Sequence, residues 1–147
     1  LLDWAVPLRN GLSVLSPVDM VVHAAAHLFA DGDLAGGLRN LWDIHCLLED
    51  GAEGLAERAA HHGLAREVVR AERLSHHLFG TEDPRDGLPA SDRPYLRRLL
   101  ARDGWGRAVR PVTRGAFYVR SHWLRMPPAM LARHLWTKWR KGHRVSR

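Results

Sequence analysis

Apolar residues recur at helical spacing along most of the chain. Val22, Ala25, Ala26 and Phe29 share one face of a helix predicted from Pro17 to about Ala30. Ser16-Pro17-Val18-Asp19 supplies its start: a capping hydroxyl, a proline at the first helical position and an acid near the positive helix end. Asp31-Gly32-Asp33 breaks it, and Asp33 is placed to cap a second helix from Leu34 to about Glu49. Leu34, Leu38, Leu41, Trp42, His45 and Leu48 give that helix its apolar stripe, and Gly51 ends it. A short third helix is expected over Ala52 to His62. A fourth follows over Leu64 to Phe79, with Leu64, Val68, Ala71, Leu74 and Leu78 aligned. Gly80 to Ala90 reads as a polar loop and the best candidate for mobility. A fifth helix runs from Ser91 to about Arg102. Two more cover roughly Thr113 to Arg125 and Pro128 to Lys141, separated by Met126-Pro127-Pro128. Fraying is expected from Gly142 onward.

The first residues follow a different pattern. Trp4 to Leu8 and Leu12 to Leu15 are short extended pieces around Arg9-Asn10-Gly11, and Asn-Gly is a strong hairpin turn signal. Pro7 restricts its piece to an edge strand or to no strand at all. No other strand signal follows, so the remainder of that sheet is expected upstream. The fold class is therefore mainly α: a bundle of about six or seven helices after a short N-terminal β-hairpin or strand remnant.

The chain has 147 residues, of which 46% are hydrophobic and 26% charged, a globular balance. No apolar run approaches the ~20 residues of a membrane-spanning helix. The first residue is Leu1 and no signal-peptide pattern follows it, so an excerpt of a longer protein is expected. Cys46 is the only cysteine, which excludes an internal disulfide and a cysteine-rich zinc site and fits a reducing cytoplasm. Flanked by Leu47 and Leu48, it is expected to be a small buried hydrophobe.

Charge divides the chain. Residues 1–103 hold eleven Arg against sixteen Asp and Glu, a balance of −5. Residues 104–147 hold nine Arg and two Lys with no acid, a balance of +11. A basic region of that kind is either a solvated face or an attractor for a polyanion such as a nucleotide, RNA or an anionic lipid surface. The last helix sets Leu131, Leu135, Trp136 and Trp139 beside Arg133, Lys138, Arg140 and Lys141, which suits docking on its own domain or lying on a membrane surface. Upstream, Arg120 and Arg125 are candidate phosphate contacts, with Tyr118 and Trp123 interleaved.

Several polar groups invite a chemical reading. His23 and His27 are four apart and share a helix face; with a carboxylate they have the makings of a zinc-type site, although no third-ligand motif accompanies them. Arg39 and Asp43 are also four apart, on the second helix. The favoured expectation is that His23, His27, Arg39 and Asp43 form a polar network holding the first helix against the second, with direct substrate contact as the competing reading. Asp31-Gly32-Asp33 spaces two carboxylates as metal-binding acids are spaced, but between helices it reads as breaker and cap. Ser121-His122 and Ser75-His76 lack the strand–turn–helix setting of a hydrolase nucleophile, so no catalytic nucleophile is assigned.

Val14-Leu15-Ser16-Pro17-Val18-Asp19-Met20-Val21-Val22-His23-Ala24-Ala25-Ala26-His27-Leu28-Phe29 resembles the junction segment of the uncharacterised nucleotidyltransferase family. Leu38-Arg39-Asn40-Leu41-Trp42-Asp43-Ile44-His45 is similar to that family's R-D-L-x-D-I helix, with Asn40 standing where the pattern has an acid. Arg120 to Pro128 resembles a late segment of some members. The resemblance implies an upstream domain of the polymerase-β type, in which a Gly-Ser or Gly-Gly turn grips nucleotide phosphates and carboxylates hold Mg²⁺. This chain contains no Gly-Ser turn followed by an Asp-x-Asp strand, so Mg²⁺ and NTP are expected to be bound mainly by residues outside it.

The expected organisation is a sheet remnant at 1–15, a helical bundle at 16–103, and basic helices at 104–147 packed on the bundle. The expected function is the C-terminal helical, substrate-side region of a nucleotidyltransferase-like protein acting on an unknown small-molecule or macromolecular acceptor. The upstream domain is then its partner, and the basic tail has room for an anionic one. The alternative is a non-catalytic helical module that binds nucleic acid or a membrane surface through that tail.

Overall fold

The computed structural model describes residues 4–80 and 87–140. Most of the loop expected to be mobile, and the tail from Gly142, lie outside the described residues. The chain opens with a hairpin of β1 (Val6–Pro7) and β2 (Ser13–Val14), antiparallel, with Val6 opposite Val14 and Pro7 opposite Ser13. The turn is closed as its residues dictate. Gly11 takes φ +80°, and Asn10 Oδ1 accepts from the Leu12 amide at 3.1 Å.

Seven α-helices follow among the described residues: α1 (Pro17–Ala25), α2 (Gly37–Glu49), α3 (Leu55–His61), α4 (Ala65–Phe79), α5 (Arg93–Leu99), α6 (Pro111–Trp123) and α7 (Pro128–Arg140). The C-terminal continuation of α1, Ala26–Asp31, is wound as a π-helix. α3 and α5 are shorter than their hydrophobic patterns suggested, α6 begins two residues earlier, and α2 begins three residues later. Asp33 does not cap it. Instead Asp33 Oδ1 accepts from the Ala35 amide at 2.7 Å, Leu34 and Gly36 adopt left-handed backbones at φ 58° and 70°, and the helix begins at Gly37.

The core lies where α1 packs on α2, α3 and α4. Val21, Val22, Ala25, Leu28 and Phe29 meet Leu41 and Ile44 of α2, Leu55 and Ala59 of α3, and Val68, Ala71 and Leu74 of α4. The buried stripe of α2 centres on Leu41 and Ile44, and the expected Leu38 and Trp42 remain exposed. Trp42 instead sets its ring edge-on to Phe79, with centroids 5.0 Å apart.

A buried ion pair ties α4 to α5. Arg70 Nε lies 2.9 Å from Asp92 Oδ1, Asp92 is 1% exposed, and the Arg70 guanidinium covers the Tyr95 ring at 4.0 Å. Phe117 carries α6 into the same core. The outermost helix, α7, stacks His134 on His122 of α6 with ring centroids 5.1 Å apart. His134 Nε2 meets the Tyr118 hydroxyl at 2.9 Å, and Lys138 Nζ donates to that hydroxyl as well. All six tryptophans lie at the periphery, from 49% exposed at Trp42 to 87% at Trp105. Among the described residues no helix is long and apolar enough to cross a membrane.

Candidate functional site

The hairpin runs directly into α1, and the junction builds a polar cluster. Ser16 caps α1: its Oγ accepts from the Asp19 amide at 3.2 Å and donates to Asp19 Oδ2 at 3.0 Å. Asp19 falls on the buried phase of α1, three residues before Val22, and is fully buried. An acid there needs a cation. Arg58 of α3 provides it with two bonds, Nε to Oδ1 at 2.7 Å and Nη2 to Oδ2 at 3.2 Å. The Trp4 ring lies 5.2 Å from that guanidinium, so the residue that leads into β1 also leans on the pair.

Burial by itself raises the Asp19 carboxyl; the hydrogen bonds from Arg58 and Ser16 outweigh it and hold the group below its ordinary value. The nearby His62 imidazole is lowered, by burial first and by the Arg58 charge second. Its Nε2 is buried without a hydrogen-bond partner.

Around this pair lies a groove of about 600 Å³, lined by Trp4, Ser16, Val18, Asp19, Glu53, Glu57, Arg58 and His61. Three carboxylates against one guanidinium make it acidic, and Trp4 and Val18 give it an apolar part. The arrangement suits a cationic or hydrogen-bond-donating group. Asp19 already accepts from Arg58 and Ser16, which leaves it committed to structure and not to a metal.

The residues singled out by sequence lie elsewhere. His23 and His27 are exposed, with their rings edge to face at 4.5 Å. Arg39 and Asp43 are exposed on α2. No hydrogen bond or ion pair among the described residues joins these four, so they do not form the expected lock between α1 and α2. The reason is helical phase. Arg39 and Asp43 each stand two residues, about 200°, from Leu41, whose side takes the apolar interface. The lock between elements is made by Asp19 and Arg58 instead.

Arg120 is half-buried. It donates to the Phe29 carbonyl at 2.7 Å and the Gly32 carbonyl at 3.2 Å, clamping the end of the π-wound turn. Arg125 is exposed beyond the end of α6. Cys46 is exposed, contrary to expectation, because it lies off the Leu41–Ile44 stripe. Among the described residues no three His, Cys, Asp or Glu side chains converge as metal ligands, so His23 and His27 gain no third partner. The Asp31 side chain lies outside the described residues.

A family model described as uncharacterised nucleotidyltransferase matches residues 1–80. The chain belongs to that family. The match runs from the hairpin to the end of α4, so it contains the whole Asp19–Arg58 groove as well as His23, His27, Arg39 and Asp43. It ends before α5. Family membership gives the chain a general role connected with nucleotidyl transfer. No curated protein and no solved structure matches the chain.

Proposed function

We propose that this chain is the C-terminal helical, substrate-side region of a nucleotidyltransferase-like protein. In this reading the protein moves a nucleotidyl group from an NTP to an acceptor, and the carboxylates that hold the metal lie upstream of residue 1. The family match over residues 1–80 carries the reading. A hairpin of two short strands adds support, since Val6, Leu12 and Val14 are exposed on it and no further strand pairs with it among the described residues. Residues 1–15 are then the margin of a sheet belonging to the neighbouring domain, 16–103 the bundle that shapes the substrate side, and 104–147 its basic extension. His23, His27, Arg39 and Asp43, exposed within the matched stretch, remain candidates for facing substrate.

The family implies Mg²⁺ and NTP. The described residues do not fit a Mg²⁺ site, because no three acidic or imidazole groups converge, and Asp19 is engaged by Arg58. No step of the transfer is therefore assigned to this chain's own side chains.

The test is pyrophosphate release from NTP with Mg²⁺, measured on the product of the complete gene and on the 147-residue chain. The complete product is expected to release pyrophosphate and the chain alone to release none. Release by the chain alone, or a complete gene without a Gly-Ser turn and Asp-x-Asp pair upstream, overturns the proposal.

A second reading, a non-catalytic module recruited to a polyanion, is favoured by one observation. On α7, Met130, Trp136 and Trp139 are exposed beside Arg133 and Arg140. It requires RNA or anionic-vesicle binding that weakens steeply with salt. It fails if removal of residues 129–147 leaves such binding unchanged.

A further inference from the structure

A second cavity lies on the other side of the α1–α2 connection, between that turn, the end of α5, the following loop and the start of α6. Its volume is about 320 Å³, at the lower end for small-ligand pockets. Arg98, Arg102 and Arg114 line it, with Asp33 the only acid among its lining residues. Three guanidiniums against one carboxylate leave +2.

Arg98 is the deciding residue. It is 9% exposed, and its Nε is buried without any hydrogen-bond partner. Asp33 does not satisfy it. Asp33 Oδ1 is 3.9 Å from Arg98 Nη2, beyond hydrogen-bond range, and turns instead to the Ala35 amide at 2.7 Å. A buried guanidinium donor with nothing to accept it is costly unless a ligand supplies the acceptor. Burial lowers the Arg98 pKa. Asp33 opposes that effect, whereas Arg114 and Arg102 add to it.

The rest of the cavity is built for the same charge. Arg102 and Ala108 form an antiparallel bridge, and Arg102 Nη1 donates to the Gly106 carbonyl at 2.6 Å, which fixes the loop. The first turn of α6 has no side-chain cap; the residue before it, Arg110, holds a left-handed backbone at φ 57°. That turn presents the positive end of a 13-residue helix. Gly115, in the next turn, also lines the cavity, and a Cβ there would meet nothing within 4 Å.

We propose that this cavity binds a phosphate dianion, the terminal phosphate of a monoester or polyphosphate, between Arg98, Arg102 and Arg114. Such a group carries about −1.5 to −2 near neutral pH, which balances the +2, and guanidinium forks suit its oxygens. The proposal goes beyond the nucleotidyl-transfer reading and does not depend on it, because all three arginines lie outside the family-matched residues.

The test is calorimetric titration of the intact 147-residue chain, at low salt, with inorganic phosphate, inorganic triphosphate and ATP. Saturable one-site binding is expected for triphosphate. Arg114→Gln and Arg102→Gln should each weaken it about tenfold, as loss of a charge-assisted hydrogen bond does. Arg66→Gln, which removes an exposed cation on α4, should not change it. Gly115→Leu keeps every charge, favours the helix, and should abolish binding by filling the cavity. Arg98→Gln should do the same; if that variant fails to fold, the other four decide. ATP binding about tenfold tighter than triphosphate assigns a nucleotide as the phosphate's source. Equal binding assigns the phosphate group irrespective of what carries it. The proposal is overturned if triphosphate gives no saturable binding, if Arg66→Gln weakens it as much as Arg114→Gln, or if Gly115→Leu still binds.

Discussion

Replacing Asp19 with Asn removes the carboxylate that neutralises Arg58. The Asp19 side chain is fully buried and that of Arg58 is 15% exposed, so neither charge is well solvated in the fold. Breaking a buried pair costs ~3–5 kcal/mol because the surviving charge is stranded. Arg58 keeps some contact with water, which places Asp19→Asn near the lower bound, about 3 kcal/mol. Arg58→Met strands the carboxylate itself and should cost nearer ~4 kcal/mol. A chain of this size loses roughly 2–4 °C of Tm per kcal/mol, so both variants should melt about 6–16 °C lower. Asp19→Asn combined with Arg58→Met removes both charges and should recover at least ~2 kcal/mol relative to the sum of the single changes. Urea unfolding followed by far-UV circular dichroism measures all three. Single-variant losses under about 1 kcal/mol, or strict additivity in the double variant, would refute the view that this pair is desolvated and that it locks α1 to α3.

The same pair sets an acid sensitivity. The folded Asp19 carboxyl lies below its ordinary 3.8, so its contribution is complete above that value and disappears as pH falls through the lower folded one. Acid titration of stability below about pH 4 should be shallower in Asp19→Asn than in the natural chain; identical slopes would contradict this. Phe29→Ala empties a fully buried site beside Tyr95 and should cost about 3–5 kcal/mol in urea unfolding, with a loss under ~1.5 kcal/mol inconsistent with the packing described. Arg120→Ala removes charge-assisted bonds to two carbonyls, a loss of roughly 1.5–3 kcal/mol, and Arg120→Lys should recover less than half of it, since an ammonium lacks the fork that spans both acceptors. Full recovery by Lys would show that only the charge matters.

Local chemistry made parts of this fold legible. Asn10-Gly11 announced the hairpin, Ser16-Pro17-Asp19 the start of α1, and the Leu64-to-Leu78 stripe α4, because each depends on neighbours in sequence. The start of α2 was less accessible. Asp33 satisfies the pattern of a cap, but whether its carboxylate serves Ala35 or a later amide depends on the left-handed backbones of Leu34 and Gly36. The π winding of Ala26–Asp31 likewise rests on distant support, from an arginine about ninety positions later. The polar cluster was hidden for the same reason, since Asp19 and Arg58 are 39 residues apart. Its one visible sign was an acid on the apolar phase of α1, a position that demands a cation from somewhere. The His23/His27 and Arg39/Asp43 spacings placed each pair correctly on one helix. Spacing alone does not say whether such a face turns inward.

Because all six indole groups sit at the rim of the molecule, the protein's intrinsic emission is a poor witness to its folding. The fluorophores are already in contact with water in the native state, and a dye-free melt read at tryptophan wavelengths will follow the hairpin, the Trp105 loop and the last helix more than the packed centre. Unfolding of the bundle must be read from its backbone. In return, a partner that settles on those margins will shift the emission without disturbing the core.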